Sequence, residues 1–170
     1  MKIVLNSDEF KAWHEVGHAT VCLHLSGDIR GIEFLAGDGR GFAVTRGCLV
    51  MPDTERSVAC GGFAAEFYLL RAGFIEGVNL NDPEVVAAVS DQVFSNAWDD
   101  HQKFIGRTVT EDNDFTMEEK EKFMNYAITR VAPIFEMYFS EMKLVVSELL
   151  IAREIDGARV RELLRPGIPR

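Results

Sequence analysis

Cysteine, proline, basic charge and long apolar runs are all scarce in this chain of 170 residues. No segment approaches the ~18 uninterrupted apolar residues of a membrane span, and the short run after Met1 is too brief for a signal-peptide core. A membrane partner is therefore not expected. Cys22, Cys48 and Cys60 form an odd, widely spaced set without a C-x-x-C pair. That pattern predicts neither a disulfide framework nor a thiolate metal site, and each cysteine reads as a small buried hydrophobe in a reducing cytoplasm. Lys and Arg total 18 against 27 Asp and Glu, a net charge of −9, which disfavours nucleic acid as a partner because phosphate contact needs a basic stripe. No Ser/Gly/Pro-rich linker, low-complexity tract or internal repeat divides the sequence. With 47% hydrophobic and 26% charged residues, a single domain over 1–170 is expected.

What is present is His14-Glu15-Val16-Gly17-His18, an H-E-x-x-H pattern. At about 3.6 residues per turn the two imidazoles stand one above the other on one helix face, within reach of one metal ion. Zinc suits that pair, and a catalytic zinc site takes a third protein ligand while leaving a position open. Glu15 is the candidate general base, taking a proton from water during hydrolysis. Asp8 offers a cap, and Ala12, Val16, Ala19, Val21, Cys22 and Leu25 supply apolar positions up to a stop at Ser26-Gly27, so the motif lies in a helix.

Residues 29–35 and 42–50 read as strands around a turn at 37–41, giving a small sheet. A helix from Pro52-Asp53-Thr54-Glu55 to Leu70 follows. It contains Gly61-Gly62, a pair costing about 2 kcal/mol in a helix interior unless another backbone, such as the H-E-x-x-H helix, packs closely there. Glu66 lies one turn beyond Gly62 and is either an acceptor for a ligand histidine or a solvated acid.

Asn81-Asp82-Pro83-Glu84 opens a further helix, expected to run to about Ile105. Its apolar stripe, Val86, Val89, Val93, Ala97 and Phe104, includes Asp100, and a carboxylate buried alone would cost several kcal/mol. Asp100 is thus the expected third ligand, with Asn96 one turn earlier to bond its carboxylate or a substrate backbone. Asp82 is the rival, although capping already explains it. His24 and His101 face away from the motif and are left out of the metal set. Thr116-Met117-Glu118-Glu119 reads as a capping box, Pro133 as a break or kink, 134–152 as an amphipathic helix, and Asp156-Gly157 as the start of a last short helix to Leu164. The predicted class is mainly α with a small β-sheet.

Three stretches together, His14-Glu15-Val16-Gly17-His18-Ala19, Gly61-Gly62-Phe63-Ala64-Ala65-Glu66, and Glu148-Leu149-Leu150 continuing through Glu154-Ile155-Asp156-Gly157 to Leu163-Leu164, resemble the peptidase domain of the ATP-dependent AAA zinc proteases of the FtsH family. The resemblance implies a helical, zincin-like metallopeptidase domain. It also implies zinc on His14, His18 and an aspartate from a later helix, Glu15 as catalytic base, and a peptide or unfolded protein as substrate. The chain departs from the family in having no P-loop or membrane anchor, so folded substrates would require a separate ATPase or self-association. The family's Ser-Asn-Asp run has no clean counterpart. Asn81-Asp82 matches its spacing and Ser95-Asn96 through Asp100 its helix face, while the segment before Gly61 is short, predicting reduced substrate-binding strands. The other readings are a non-proteolytic zinc-binding regulatory module and a zinc hydrolase of non-peptide amides.

Overall fold

The computed structural model describes residues 1–35, 43–110 and 113–165. The turn expected at 37–41 lies outside them. A central helix, α1 (Asp8–His24), carries Phe10, Ala12, Trp13, Val16, Ala19, Val21 and Cys22 into the core and is enclosed on most of its circumference. Its cap is Ser7, not Asp8. The Ser7 hydroxyl accepts the Phe10 N–H at 3.2 Å, leaving Asp8 and Glu9 in the first turn, where acids favour the positive end of the helix dipole.

Strands β1 (Gly31–Phe34) and β2 (Ala43–Arg46) pair antiparallel, with Ile32 opposite Thr45. A third strand, β3 (Glu154–Asp156), adds to the other side of β1, so β2 is an outer strand of a three-stranded sheet. After a 3₁₀ turn at Pro52–Thr54 come α2 (Glu55–Ala59) and α3 (Gly61–Arg71). The single helix expected from 52 to 70 is thus divided at Cys60. Gly61-Gly62 falls at the start of α3 instead of inside a helix, where its conformational cost is smaller.

The helix expected over 83–105 is likewise two, α4 (Pro83–Asn96) and α5 (Trp98–Ile105). The chain leaves helical geometry at Ala97 (φ −92°, ψ 21°), a fully buried residue that is neither Gly nor Pro. Tertiary packing, not local propensity, sets this break. Helix α6 (Met117–Tyr126) has the predicted capping box, and a π turn at Ala127–Val131 runs without a break into α7 (Ala132–Ala152), with Pro133 next to that π turn. Asp156 caps the last helix, α8 (Gly157–Leu163).

Helices α3 and α7 pack on α1, and the three interlock with the sheet around one hydrophobic core. The α1–α3 crossing is made by glycine. A Cβ on Gly17 would stand 2.7 Å from the Ala65 Cβ and closer still to the Gly61 carbonyl, and one on Gly61 would stand 2.8 Å from the His18 Cα. The backbones therefore touch where the H-E-x-x-H turn meets the start of α3, as the glycine pair predicted. The architecture is α+β, mainly helical with a small antiparallel sheet. No helix among the described residues is long and apolar enough to cross a membrane.

Cys22 and Cys48 are joined as a disulfide, with Cα atoms 6.3 Å apart. This corrects the expectation of three separate thiols. The separation of 26 positions hides a pairing that depends on how β1 and β2 pack over α1. Cys60 is free and buried, as expected.

Candidate metal centre

One turn of α1 places His14 and His18 side by side, and the break at Ala97 turns α5 so that Asp100 faces them. His14 Nε2 and His18 Nε2 lie 3.2 Å apart, and Asp100 Oδ2 lies 3.1 Å from the first and 3.0 Å from the second. The three side chains are only 13%, 12% and 7% exposed. Among the described residues they form a cluster able to hold a metal ion.

The hydrogen bonds around this triangle fix its chemistry. The Val58 carbonyl can only accept, so His18 donates from Nδ1 across 2.7 Å. On His14, Nδ1 lies 2.9 Å from Glu66 Oε1, while the other carboxylate oxygen of Glu66 accepts from Asn96 Nδ2 at 3.1 Å. A carboxylate that accepts at both oxygens leaves the His14 Nδ1 as donor. Both Nε2 atoms then carry lone pairs, and both point at Asp100 Oδ2, itself a buried oxygen with no hydrogen-bond partner. Three lone pairs converge within ~3 Å, an arrangement that repels itself unless a cation stands among them.

The titration behaviour carries the same message. Burial by itself would lower the His14 pKa, but Glu66 and Asp100 on either side outweigh it and hold it well above the ordinary histidine value. For His18, burial is likewise outweighed, chiefly by Asp100, and the pKa is raised. Burial pushes Asp100 up, yet the two histidines overcome this and keep it far below the usual carboxylate range. The pocket favours positive charge, as a proton or as a metal ion.

Glu66 is buried, and burial pushes its pKa up against the opposing pull of His14 and Asn96. The helix rotation that sequence left open is thus decided in favour of a partner for His14. Asn96 lines the cleft but does not bond the Asp100 carboxylate. It donates to Glu66 and to Asn6 Oδ1 at 3.2 Å, not to Asp100, because the break at Ala97 separates the two residues' helical frames. Asp82 caps α4, accepting the N–H groups of Glu84 and Val85 at 3.1 and 3.3 Å, and takes no part in the cluster. His101 is fully buried and outside the cluster. It stacks on Phe115 and Phe123 with centroids 3.7 and 4.6 Å away and donates from Nε2 to the Glu119 carbonyl at 3.2 Å. His24 reaches the Tyr138 hydroxyl at 3.3 Å and lies outside the site.

Glu15 stands between the cluster and β2. Its Oε2 accepts the Thr45 N–H at 2.6 Å, and its backbone carbonyl accepts the Thr45 hydroxyl at 2.8 Å. Thr45 and Val58 are the contributors that sequence reasoning missed. Each acts largely through a backbone atom, which leaves no mark on residue identity. The centre opens into a cleft of about 620 Å³ whose walls include Ala43, Val44 and Thr45 of β2 on one side and Asp99 and Lys103 of α5 on the other.

Compared with known proteins, the chain matches no family model, and no curated protein matches it.

Proposed function

We propose that this protein is a zinc metallopeptidase with a zincin-like, FtsH-type domain, in which His14, His18 and Asp100 hold the metal and Glu15 is the general base. The observation that supports this reading best is the convergence of three buried lone pairs at mutual distances of 3.0–3.2 Å. Ligand atoms at ordinary zinc bond lengths in a tetrahedral site are separated by about 3.3 Å, so the donor set fits zinc with almost no rearrangement. When bound, zinc supplies Lewis acidity, which polarises a carbonyl and makes water acidic near neutral pH.

The remaining chemistry belongs to the chain. Glu15 Oε2 is committed to the Thr45 N–H, which leaves Oε1 to take a proton from the attacking water and return it to the leaving amine as the C–N bond breaks. Glu66 holds the His14 ring in the tautomer that directs Nε2 into the site, and the Val58 carbonyl does the same for His18. The outer strand β2 lies along the cleft, and an extended peptide fits such an edge by strand addition. Short peptides or unfolded protein segments are therefore the proposed substrates, with a separate ATPase or self-association needed to present folded ones.

The test is Glu15→Gln assayed beside the wild type on unfolded casein-like substrates, with metal content measured on both. The variant is expected to keep zinc and lose hydrolysis by at least ~100-fold. Undiminished turnover would remove Glu15 as the base, and zinc without cleavage of any peptide by the wild type would favour the non-proteolytic zinc module.

A further inference from the structure

On α1, steps of four residues lead from His14 to His18 to Cys22, so the buried Cys22 sulfur lies one turn beyond the second histidine. Its disulfide partner Cys48 is only partly buried and lines the same cleft as His14, Glu15 and His18. The segment between the two cysteines contains the whole of β1 and β2, including Thr45, which holds Glu15. We propose that Cys48 is a thiol–disulfide exchange site for low-molecular-weight thiols of the glutathione class, and that exchange there fastens or releases the β2 wall of the metal cleft.

Access decides which sulfur reacts. Cys22 is completely buried and cannot be approached, whereas Cys48 faces the cleft. An incoming thiolate attacks Cys48 Sγ, forming a mixed disulfide as the Cys22–Cys48 bond breaks, and Cys22 departs as a thiolate that takes up a proton. A second thiolate then attacks the external sulfur of that mixed disulfide, forming the small-molecule disulfide and freeing Cys48, which is protonated in turn. Two small thiols are oxidised while one protein disulfide is reduced, and the reverse sequence restores it. The reduced Cys22 already has an acceptor, since the Asp28 carbonyl lies 3.5 Å from its sulfur. Cys60, fully buried at the start of α3, offers no competing sulfur.

The cross-link is the covalent tie between this wall and α1. Thr45 bonds Glu15 of α1 through its N–H and hydroxyl, and Asp28 and Leu49 exchange two backbone hydrogen bonds at 3.0 and 2.8 Å, but these non-covalent ties can open and close. Gly47, at φ +65°, provides a backbone conformation next to Cys48 that most residues avoid. Reduction therefore loosens residues 43–50 while the metal ligands, anchored in α1 and α5, stay in place. Weaker capture of an extended peptide follows from this, a consequence that rests on the peptidase reading; the exchange chemistry does not.

The experiment equilibrates the zinc-loaded protein in buffers of graded reduced-to-oxidised glutathione, quenches in acid, alkylates in denaturant so that buried thiols also react, and maps adducts by mass. Backbone amide exchange of residues 43–50 and zinc content are followed in the same samples. Expected are paired loss of alkylation at Cys22 and Cys48 as the buffer becomes oxidising, and, in Cys22→Ser, a glutathione adduct on Cys48. Amide exchange over 43–50 should be at least about tenfold faster in the reduced protein and in Cys48→Ser, at constant zinc content. Alkylation of both cysteines in fully oxidised buffer, an adduct on Cys60 instead of Cys48, or exchange over 43–50 that ignores redox state would each overturn the proposal. If wild type cleaves peptides, reduction raises KM more than it lowers kcat. If it cleaves nothing, the adduct map and amide exchange still decide the redox site, and only the peptidase reading fails.

Discussion

Replacing Gly62 by alanine is a sharp test because the added methyl would point at a proposed ligand. Its carbon would stand 2.5 Å from His14 Cδ2 and closer still to Cε1 and Nε2, where unstrained contacts are about 3.5 Å. Relief requires the imidazole to retreat by ~1 Å, several times the ~0.2 Å by which ligand positions in a working metal site vary. The ring cannot slide in its own plane without breaking the 2.9 Å bond to Glu66. Losing a well-placed ligand should weaken zinc binding by at least ~100-fold, or about 2.7 kcal/mol. The metal-free fold should suffer less. Overpacking costs ~1–3 kcal/mol, and the helix-propensity gain is small in the first turn of α3, which leaves a Tm drop of no more than ~12 °C for a chain of this size. Competition with a chromophoric chelator measures the affinity, and calorimetry of the metal-free protein measures Tm. Wild-type zinc affinity in Gly62→Ala would refute the assignment of His14 Nε2 as a ligand, whatever happened to Tm.

Other consequences are equally accessible. Glu66→Ala removes the acceptor that orients His14 and should reduce zinc affinity about 10–100-fold in a direct titration, with helical content unchanged. Because Glu66 and Asp100 raise the His14 pKa in the metal-free protein, zinc uptake must displace protons; affinity should rise with pH, and calorimetry in buffers of different ionisation enthalpy should register the release. Away from the site, the Arg107 guanidinium and the Thr116 N–H hold Glu119 down at about 2. A depressed carboxylate stabilises the fold fully above its unfolded pKa of about 4.3 and loses that contribution as pH falls toward its folded value. Thermal melts of Glu119→Gln should therefore show a shallower decline in Tm between pH ~4.5 and ~2 than the wild type.

Local chemistry explains what was readable beforehand. His14 and His18 share a face because helix geometry relates residues four apart, and no distant contact is needed to know it. The Thr116 cap and the Asp156 start are signalled by residues within one turn of the feature they create. The Gly61-Gly62 pair announced a close approach to the H-E-x-x-H helix: Gly61 meets its backbone at Gly17 and His18, and Gly62 meets the His14 ring. Asp100 was legible for a less secure reason. Its place on the stripe came from an unbroken helix over 83–105, and although the chain breaks at Ala97, the residue is still buried.

The sequence by itself determined the spacing of the histidine pair, the neighbouring carboxylate and the helical class, since each depends on spacings shorter than two helical turns. Only the tertiary structure decided that Asp100 and not Asp82 meets the histidines, that Glu66 bonds His14, that the Val58 carbonyl and Thr45 N–H orient His18 and Glu15, and that Cys22 pairs with Cys48. These contacts join residues 26 or more positions apart, and two of them use backbone atoms that every residue except proline can supply in full. Their geometry is set by how helices and strands pack, which no local pattern encodes.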